Sequence, residues 1–180
     1  MEALKCIRTR RSVRKFDGRP VERALIEQVV AAAAYAPSWK NTQIARYIVV
    51  TDAEKKQKLA DECMLGFAFN QKTASCAPAL VVVTMVTGRS GFERDGSFST
   101  TQGTHWQSFD AGIATQTFCL AAHDLGLGTV IMGIFDENKV AELTDVPEGQ
   151  QVAAILALGY PAEEPMCPKR KDVEALVSFQ

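Results

Sequence analysis

Ala77-Pro78-Ala79-Leu80-Val81-Val82-Val83-Thr84-Met85-Val86 is the stretch on which the fold turns. From Leu80 to Val86 it is apolar without alternation and rich in β-branched residues. A half-buried strand alternates apolar and polar side chains, so this run predicts a strand covered on both faces. It is too short to cross a bilayer as a helix. Working outward, Tyr47–Thr51 (YIVVT) and Val152–Leu158 (VAAILAL) have the same character, and Gly128–Ile134 contains a fourth strand. Helical patterns separate these segments, which implies a buried sheet with helices on both sides.

The helical segments have readable ends. Glu2–Arg8 places Leu4 and Ile7 on one face. Val21–Tyr35 repeats Leu25, Ile26, Val29, Val30 and Ala33 at helical spacing, with Pro37 just beyond. Asp52 suits an N-cap for a helix from Ala53 to about Cys63, and Asp136 suits one for Glu137–Leu143. Gln107–Leu125 is the strongest helix. Phe109, Ile113, Thr117, Leu120 and Ala121 fall near one stripe, small residues (Ala111, Gly112, Ala114, Ala121, Ala122) permit close packing, and Gly126 ends it. Thr87–Trp106 reads as a long loop. Its Phe92, Phe98, His105 and Trp106 have two readings, a roof over a pocket or anchors for the loop. Pro165–Gln180 is a proline-rich basic tail whose apolar residues come late, at Val173, Leu176 and Val177. Such an arm needs another surface on which to lie.

The chain has 180 residues, enough for one domain, and 47% of them are hydrophobic. Its 20 Lys and Arg against 21 Asp and Glu leave a net charge of −1, with no general attraction to nucleic acid or anionic membrane. Neither is expected as a partner. Met1–Arg14 is basic but lacks an apolar signal-peptide core. The five cysteines (Cys6, Cys63, Cys76, Cys119, Cys167) are scattered and odd in number. That pattern argues against a disulfide framework, so a reducing, cytoplasmic setting is expected, with each cysteine a small core residue.

Several chemistries leave no trace. There is no P-loop and no GxGxxG after a strand. No His/Cys/Asp set has metal-ligand spacing, so no metal is expected. His105 and His123 are far apart, and His123 reads as structural or surface. What remains is two basic clusters at opposite ends of the chain: Arg8, Arg10, Arg11, Arg14 and Lys15, and then Lys169, Arg170 and Lys171. Each alone reads as a solvated face. Together they suit a phosphate clamp, because an Arg fork matches phosphate oxygens and Lys adds a point charge.

A set of motifs, in order, covers nearly the whole chain. Arg10-Arg11-Ser12-Val13-Arg14-Lys15-Phe16 resembles the opening RRSxRxF motif of the nitroreductase family. Ala36-Pro37-Ser38-Trp39-Lys40-Asn41-Thr42-Gln43 resembles its second motif, APSxxNxQ. Ala77-Pro78 before an apolar strand, Asp110-Ala111-Gly112 in a long helix, Gly126-Leu127-Gly128-Thr129, Met132-Gly133, and Leu158-Gly159-Tyr160-Pro161 follow in family order. The chain departs at Gln43-Ile44-Ala45, where many members read Gln-Pro-Trp.

The resemblance implies a mixed α/β (α+β) fold, its central sheet sandwiched by helices, in an intertwined homodimer. It implies a single FMN-binding domain over residues 1–180, with 165–180 an arm packing on the partner. Carried over, Arg10, Arg11 and Ser12 meet the phosphate, ribityl and pyrimidine end of FMN, and Arg14 lies beside the ring, where a cation stabilises negative charge on the reduced flavin. Pro37, Ser38 and Asn41 bind the cofactor, with Ser38 and Asn41 coming from the partner. Asn70 bonds the pyrimidine edge or, on the other reading, only ends a helix; Ser12 likewise is a flavin contact or a turn residue. The backbone of Ile131, Met132 and Gly133 lies against the flavin, and Lys169, Arg170 and Lys171 hold the phosphate. The implied activity is ping-pong oxidation of NADH or NADPH with reduction of a nitroaromatic, quinone or similar electron-poor small molecule. The chemistry is flavin-centred, with no catalytic side chain and Arg14 in support. Rival readings are a non-catalytic flavin carrier or sensor, and a flavin reductase, dehalogenase or ene-reductase on the same scaffold.

Overall fold

The computed structural model describes residues 2–180. Its sheet has four strands, β1 (Ala45–Val50), β2 (Ala79–Val86), β3 (Gly128–Met132) and β4 (Gln150–Gly159), in the order β1-β2-β4-β3. The strand pairs are antiparallel. One parallel bridge, Ser12 to Thr129, lies on the outer edge of β3 and makes the sheet mixed. β2 is central and buried along its length as far as Met85, as its unbroken apolar run requires.

Among the described residues six α-helices pack around the sheet: α1 (Ala3–Thr9), α2 (Arg23–Ala33), α3 (Ala53–Cys63), α4 (Ala68–Cys76), α5 (His105–Asp124) and α6 (Glu137–Leu143). Successive side chains of β2 point to opposite faces. Leu80 and Val82 enter a layer with Leu59 and Cys63 of α3, Ala74 of α4 and Val140 of α6. Val81 and Val83 enter the other, with Ile26 and Val29 of α2 and Phe118 and Ala122 of α5. This is the expected sandwich. The expected caps form: Asp52 accepts from Lys55 N at 2.8 Å and Asp136 from Lys139 N at 3.2 Å. Gly126 closes α5 at φ +81°, a left-handed conformation that suits glycine.

Three expectations need correction. The α5 stripe read from the sequence is not the core face; Phe109 is 59% exposed, and the buried face carries Asp110, Ala111, Ala114, Phe118, Cys119 and Ala122. The helix is apolar nearly all round, so periodicity alone does not choose the inner face. Leu4 and Ile7 of α1 share a face, as expected, and that face is exposed, while Cys6 packs inward and donates to Leu120 O. Helix α4 was not expected, because only Thr73 and Ala74 of it are buried and it has no apolar stripe. Cys76 and Cys167 are exposed; only Cys6, Cys63 and Cys119 are core residues. The 87–106 segment is the expected loop as far as Thr104, and the contacts decide between the two readings of its aromatics. Phe92 pairs with Phe98 at 4.9 Å, Trp106 stacks on Trp39 at 4.7 Å, and Trp106 Nε1 donates to Thr100 Oγ1, so its aromatics act as anchors. No helix among the described residues is long and apolar enough to cross a membrane.

Candidate functional site

After α1 the chain runs extended along the free edge of β3. Val13 is buried, and its N–H donates to Thr129 O at 2.9 Å. A Cβ on Gly128 would lie 2.8 Å from the Val13 side chain, so glycine is what lets this segment reach the sheet. Residues 160–163 hold it from the other side. Asp17 N donates to Tyr160 O, Ala162 N to Lys15 O, and Arg14 N to the Glu163 carboxylate at 3.0 Å. Between these strips of chain lies a cleft of about 830 Å³, lined by Thr9, Arg10, Arg11, His123, Thr129 and Glu163 among others.

Within the cleft the cations differ. The Arg11 guanidinium turns back on the carbonyls of Arg8 and Arg10, at 2.7 and 2.8 Å. These are the orphan carbonyls of a helix end, which a cation suits. Arg14 is exposed and reaches Ser12 O at 3.5 Å. His123 Nε2 lies 2.8 Å from Thr9 Oγ1. Burial pushes the His123 pKa down and the Arg10 charge adds to this, while Asp124 opposes.

Helix α4 lies outside the cleft, against Arg14 and the segment after β3. Asn70, its third residue, donates from Nδ2 to Ile134 O at 3.3 Å, and Cys76, its last, points Sγ at Arg14 O. Met132 is buried in the first layer, whereas Ile131 is 49% exposed and Gly133 is open. The end of β3 is therefore a bare strip. Arg10, Arg11, Ser12, Arg14, Asn70, Ile131, Met132 and Gly133 are thus gathered along one sheet edge.

Pro37, Ser38 and Asn41 lie elsewhere. They flank a 3-10 turn, Trp39–Asn41, in which Lys40 has φ 44° and Asn41 φ 56°, followed by Gln43 at φ 48°. Ser38 Oγ accepts from Gln43 N at 2.9 Å, and Trp39 N donates to Asp110 Oδ2 at 2.9 Å. The turn therefore sits at the start of α5, while the arginine cleft touches His123 at its end. Thirteen residues of helix at about 1.5 Å each separate the two by about 20 Å. One chain does not bring them together.

Lys169, Arg170 and Lys171 also stay apart from the cleft. Every residue from Met166 onward is exposed. Arg170 Nη1 donates to Pro168 O, two residues away, and Leu176 N to Val173 O.

A phosphomonoester carrying a flat heterocycle needs cations at one end and a bare strip with amide donors at the other. Arg10 and Arg11 supply the first, and the open end of β3 with Asn70 supplies the second, so the residues fit FMN. The fold is α+β, with an arginine-bearing cleft at the edge of its sheet. The nitroreductase family profile matches residues 7–160, and the chain belongs to that family. A protein of Archaeoglobus fulgidus is 33% identical over 167 residues, covering 91% of this chain and 87% of its own. The FMN reductase [NAD(P)H] of Bacillus subtilis is 29% identical over 184 residues, covering 97% and 72%. The structure of NADPH:FMN oxidoreductase from Vibrio harveyi, complexed with NAD+, superimposes with a TM-score of 0.81 at 26% identity, over 98% of this chain and 76% of that one. The expected FMN and NAD(P)H are thus the groups these relatives are named for.

Proposed function

We propose that the chain is an NAD(P)H-dependent FMN oxidoreductase that works as a homodimer and delivers electrons to nitroaromatic, quinone or similar electron-poor acceptors by a ping-pong sequence. The observation that carries this reading is the division of the site: an arginine-lined cleft and bare strand end at one end of α5, and Ser38 with Asn41 about 20 Å away at the other. Two chains related by a two-fold axis bring one set to the other and create two equivalent sites.

When bound, FMN supplies the two-electron chemistry. Arg10 and Arg11, joined by Lys169, Arg170 and Lys171 of the arm, neutralise the phosphate. Ser12 and Asn70 offer hydrogen bonds to the pyrimidine edge. The backbone of Ile131 to Gly133 covers the ring, and Pro37, Ser38 and Asn41 of the partner complete the enclosure. Arg14 places a cation where negative charge collects on reduction. No side chain serves as nucleophile or general base.

Heat-released cofactor identified by chromatography should be FMN; FAD, or no flavin in a folded preparation, overturns the proposal. Steady-state NAD(P)H oxidation with nitroaromatic, quinone and enone acceptors separates an enzyme from a carrier, which binds flavin without turnover. The shared site is tested by mixing. Arg10→Ala and Asn41→Ala each weaken FMN binding, and refolding them together should restore one intact site per hybrid dimer. A mixture shown to contain hybrids, yet binding no more FMN than the separate variants, means that each site is built within one chain.

A further inference from the structure

Lys40, Asn41 and Gln43 are three non-glycine residues in the left-handed region within four positions. Such a conformation costs energy and persists only when its surroundings fix it. The hydrogen bonds identify what fixes it. Asp110, 4% exposed, accepts both the Trp39 N–H and the Ser90 hydroxyl on one carboxylate oxygen, Oδ2. Ser90 is fully buried and its Oγ meets Thr42 Oγ1 at 2.7 Å. The turn is therefore tied at Trp39 directly and at Thr42 through Ser90, so Asn41 is bracketed. The outer anchors, the Lys40–Glu93 ion pair at 2.9 Å and the Trp39–Trp106 stack, are more exposed. Buried polar groups of this kind are costly to leave unmet, whereas an exposed ion pair contributes little.

We propose that Asp110 is a positioning residue for cofactor binding: it holds the 38–43 turn in its left-handed shape, so that Ser38 and Asn41 complete the flavin site of the partner. This rests on the shared-site reading above. Asp110 touches no ligand on this account; it acts through the turn.

The test uses the full-length dimer, stripped of flavin and titrated with FMN by fluorescence quenching, with thermal unfolding followed in parallel. Asp110→Ala should weaken FMN about ten-fold or more. Asp110→Asn, which keeps an oxygen for both donors, should stay within about three-fold of the parent. Asp110→Ala added to Asn41→Ala should weaken FMN by clearly less than Asp110→Ala does alone, because part of its effect passes through Asn41 and only the part through Ser38 remains. In mixed dimers Asp110→Ala should restore a site with Arg10→Ala and fail to do so with Asn41→Ala. Ser90→Ala, a milder deletion from the same chain of bonds, should weaken FMN several-fold and keeps the test open where Asp110→Ala does not fold. Parent-like affinity of Ser90→Ala and Asp110→Ala, full additivity with Asn41→Ala, rescue of Asn41→Ala in trans, or equal loss in the Asn and Ala variants each overturns the inference. Parent-like FMN binding by Asn41→Ala itself overturns the shared site, and this inference with it.

Discussion

Arg14 is tied to the molecule by its backbone rather than its side chain: its N–H goes to Glu163 and its carbonyl to Cys76, while the guanidinium stays exposed. A side chain held this way contributes charge more than structure. Arg14→Ala should therefore slow flavin reduction by NAD(P)H about ten- to hundred-fold, less than a buried donor would give because solvent screens it, and leave FMN affinity changed much less. Stopped-flow reduction at parent rate would remove this role. Tyr47 is the opposite case. Its ring stacks on Phe118 at 5.2 Å, but its buried hydroxyl has no partner. Burial, with the Cys119 thiol adding to it, raises its pKa from 10.0 to about 12. The unfolded phenol thus loses its proton first, so stability is complete below pH 10 and falls as the pH climbs towards 12. The Cys63 and Cys119 thiols, pushed up by burial, shift alkaline stability in the same direction. Tyr47→Phe keeps the ring stack and removes the unmet hydroxyl. It should stabilise the fold by about 1 kcal/mol at pH 7 and flatten the decline above pH 10, read from urea unfolding at both pH values.

Among the elements, β1 and the tail each leave apolar surface or strand edge uncovered. β1 ends the sheet and pairs only with β2 among the described residues, leaving its other edge open. Beside it runs a groove of about 980 Å³ lined by Pro20, Val21, Ile26, Val30, Val49 and Pro78. The tail carries Val173, Leu176, Val177 and Phe179 in the open, the last 93% exposed. Burying such side chains yields about 25 cal/mol per Å², and an open strand edge invites pairing. A chain ending at Pro165 should lose FMN affinity by more than ten-fold and shift towards monomer in light scattering; a truncated dimer that binds FMN normally would show that the arm is dispensable. These elements were unequally legible in the sequence. The buried strands read clearly because burial on both faces removes alternation. α4 left no pattern, since its one phenylalanine, Phe69, and Phe67 just before it are exposed. α5 gave its length but not its inner face. The first site segment, residues 10–16, and Asn70 emerged from motif order rather than from periodicity. The Asp110 bond to Trp39 spans 71 positions, and no local pattern announces such a contact.

For the whole molecule, the outward side of α5 is the face on which the proposed dimer can be tested. Phe109 is exposed, Ile113 is half-buried, and Gly112 between them is exposed, with nothing within 4 Å of where a Cβ would stand. A small residue on an apolar face lets a second helix approach closely. Gly112→Leu therefore meets no obstacle inside its own chain but should obstruct a second copy. It should keep the parent circular-dichroism spectrum, run as a monomer and lose bound FMN together with the dimer. A dimeric Gly112→Leu protein with normal FMN content would move the interface off this face.

The bonds that seat the arginine segment join residues near opposite ends of the chain: Lys15 to Ala162, and Asp17 to Tyr160. A growing polypeptide therefore exposes Arg10–Phe16 early and gives it no seat until almost everything else has been translated. At about 5–20 residues per second, that wait lasts on the order of ten to thirty seconds. Cofactor loading is consequently expected only after β4 and residues 160–163 have been made. Any premature stop before residue 160 yields a chain that has the cations but no place to aim them.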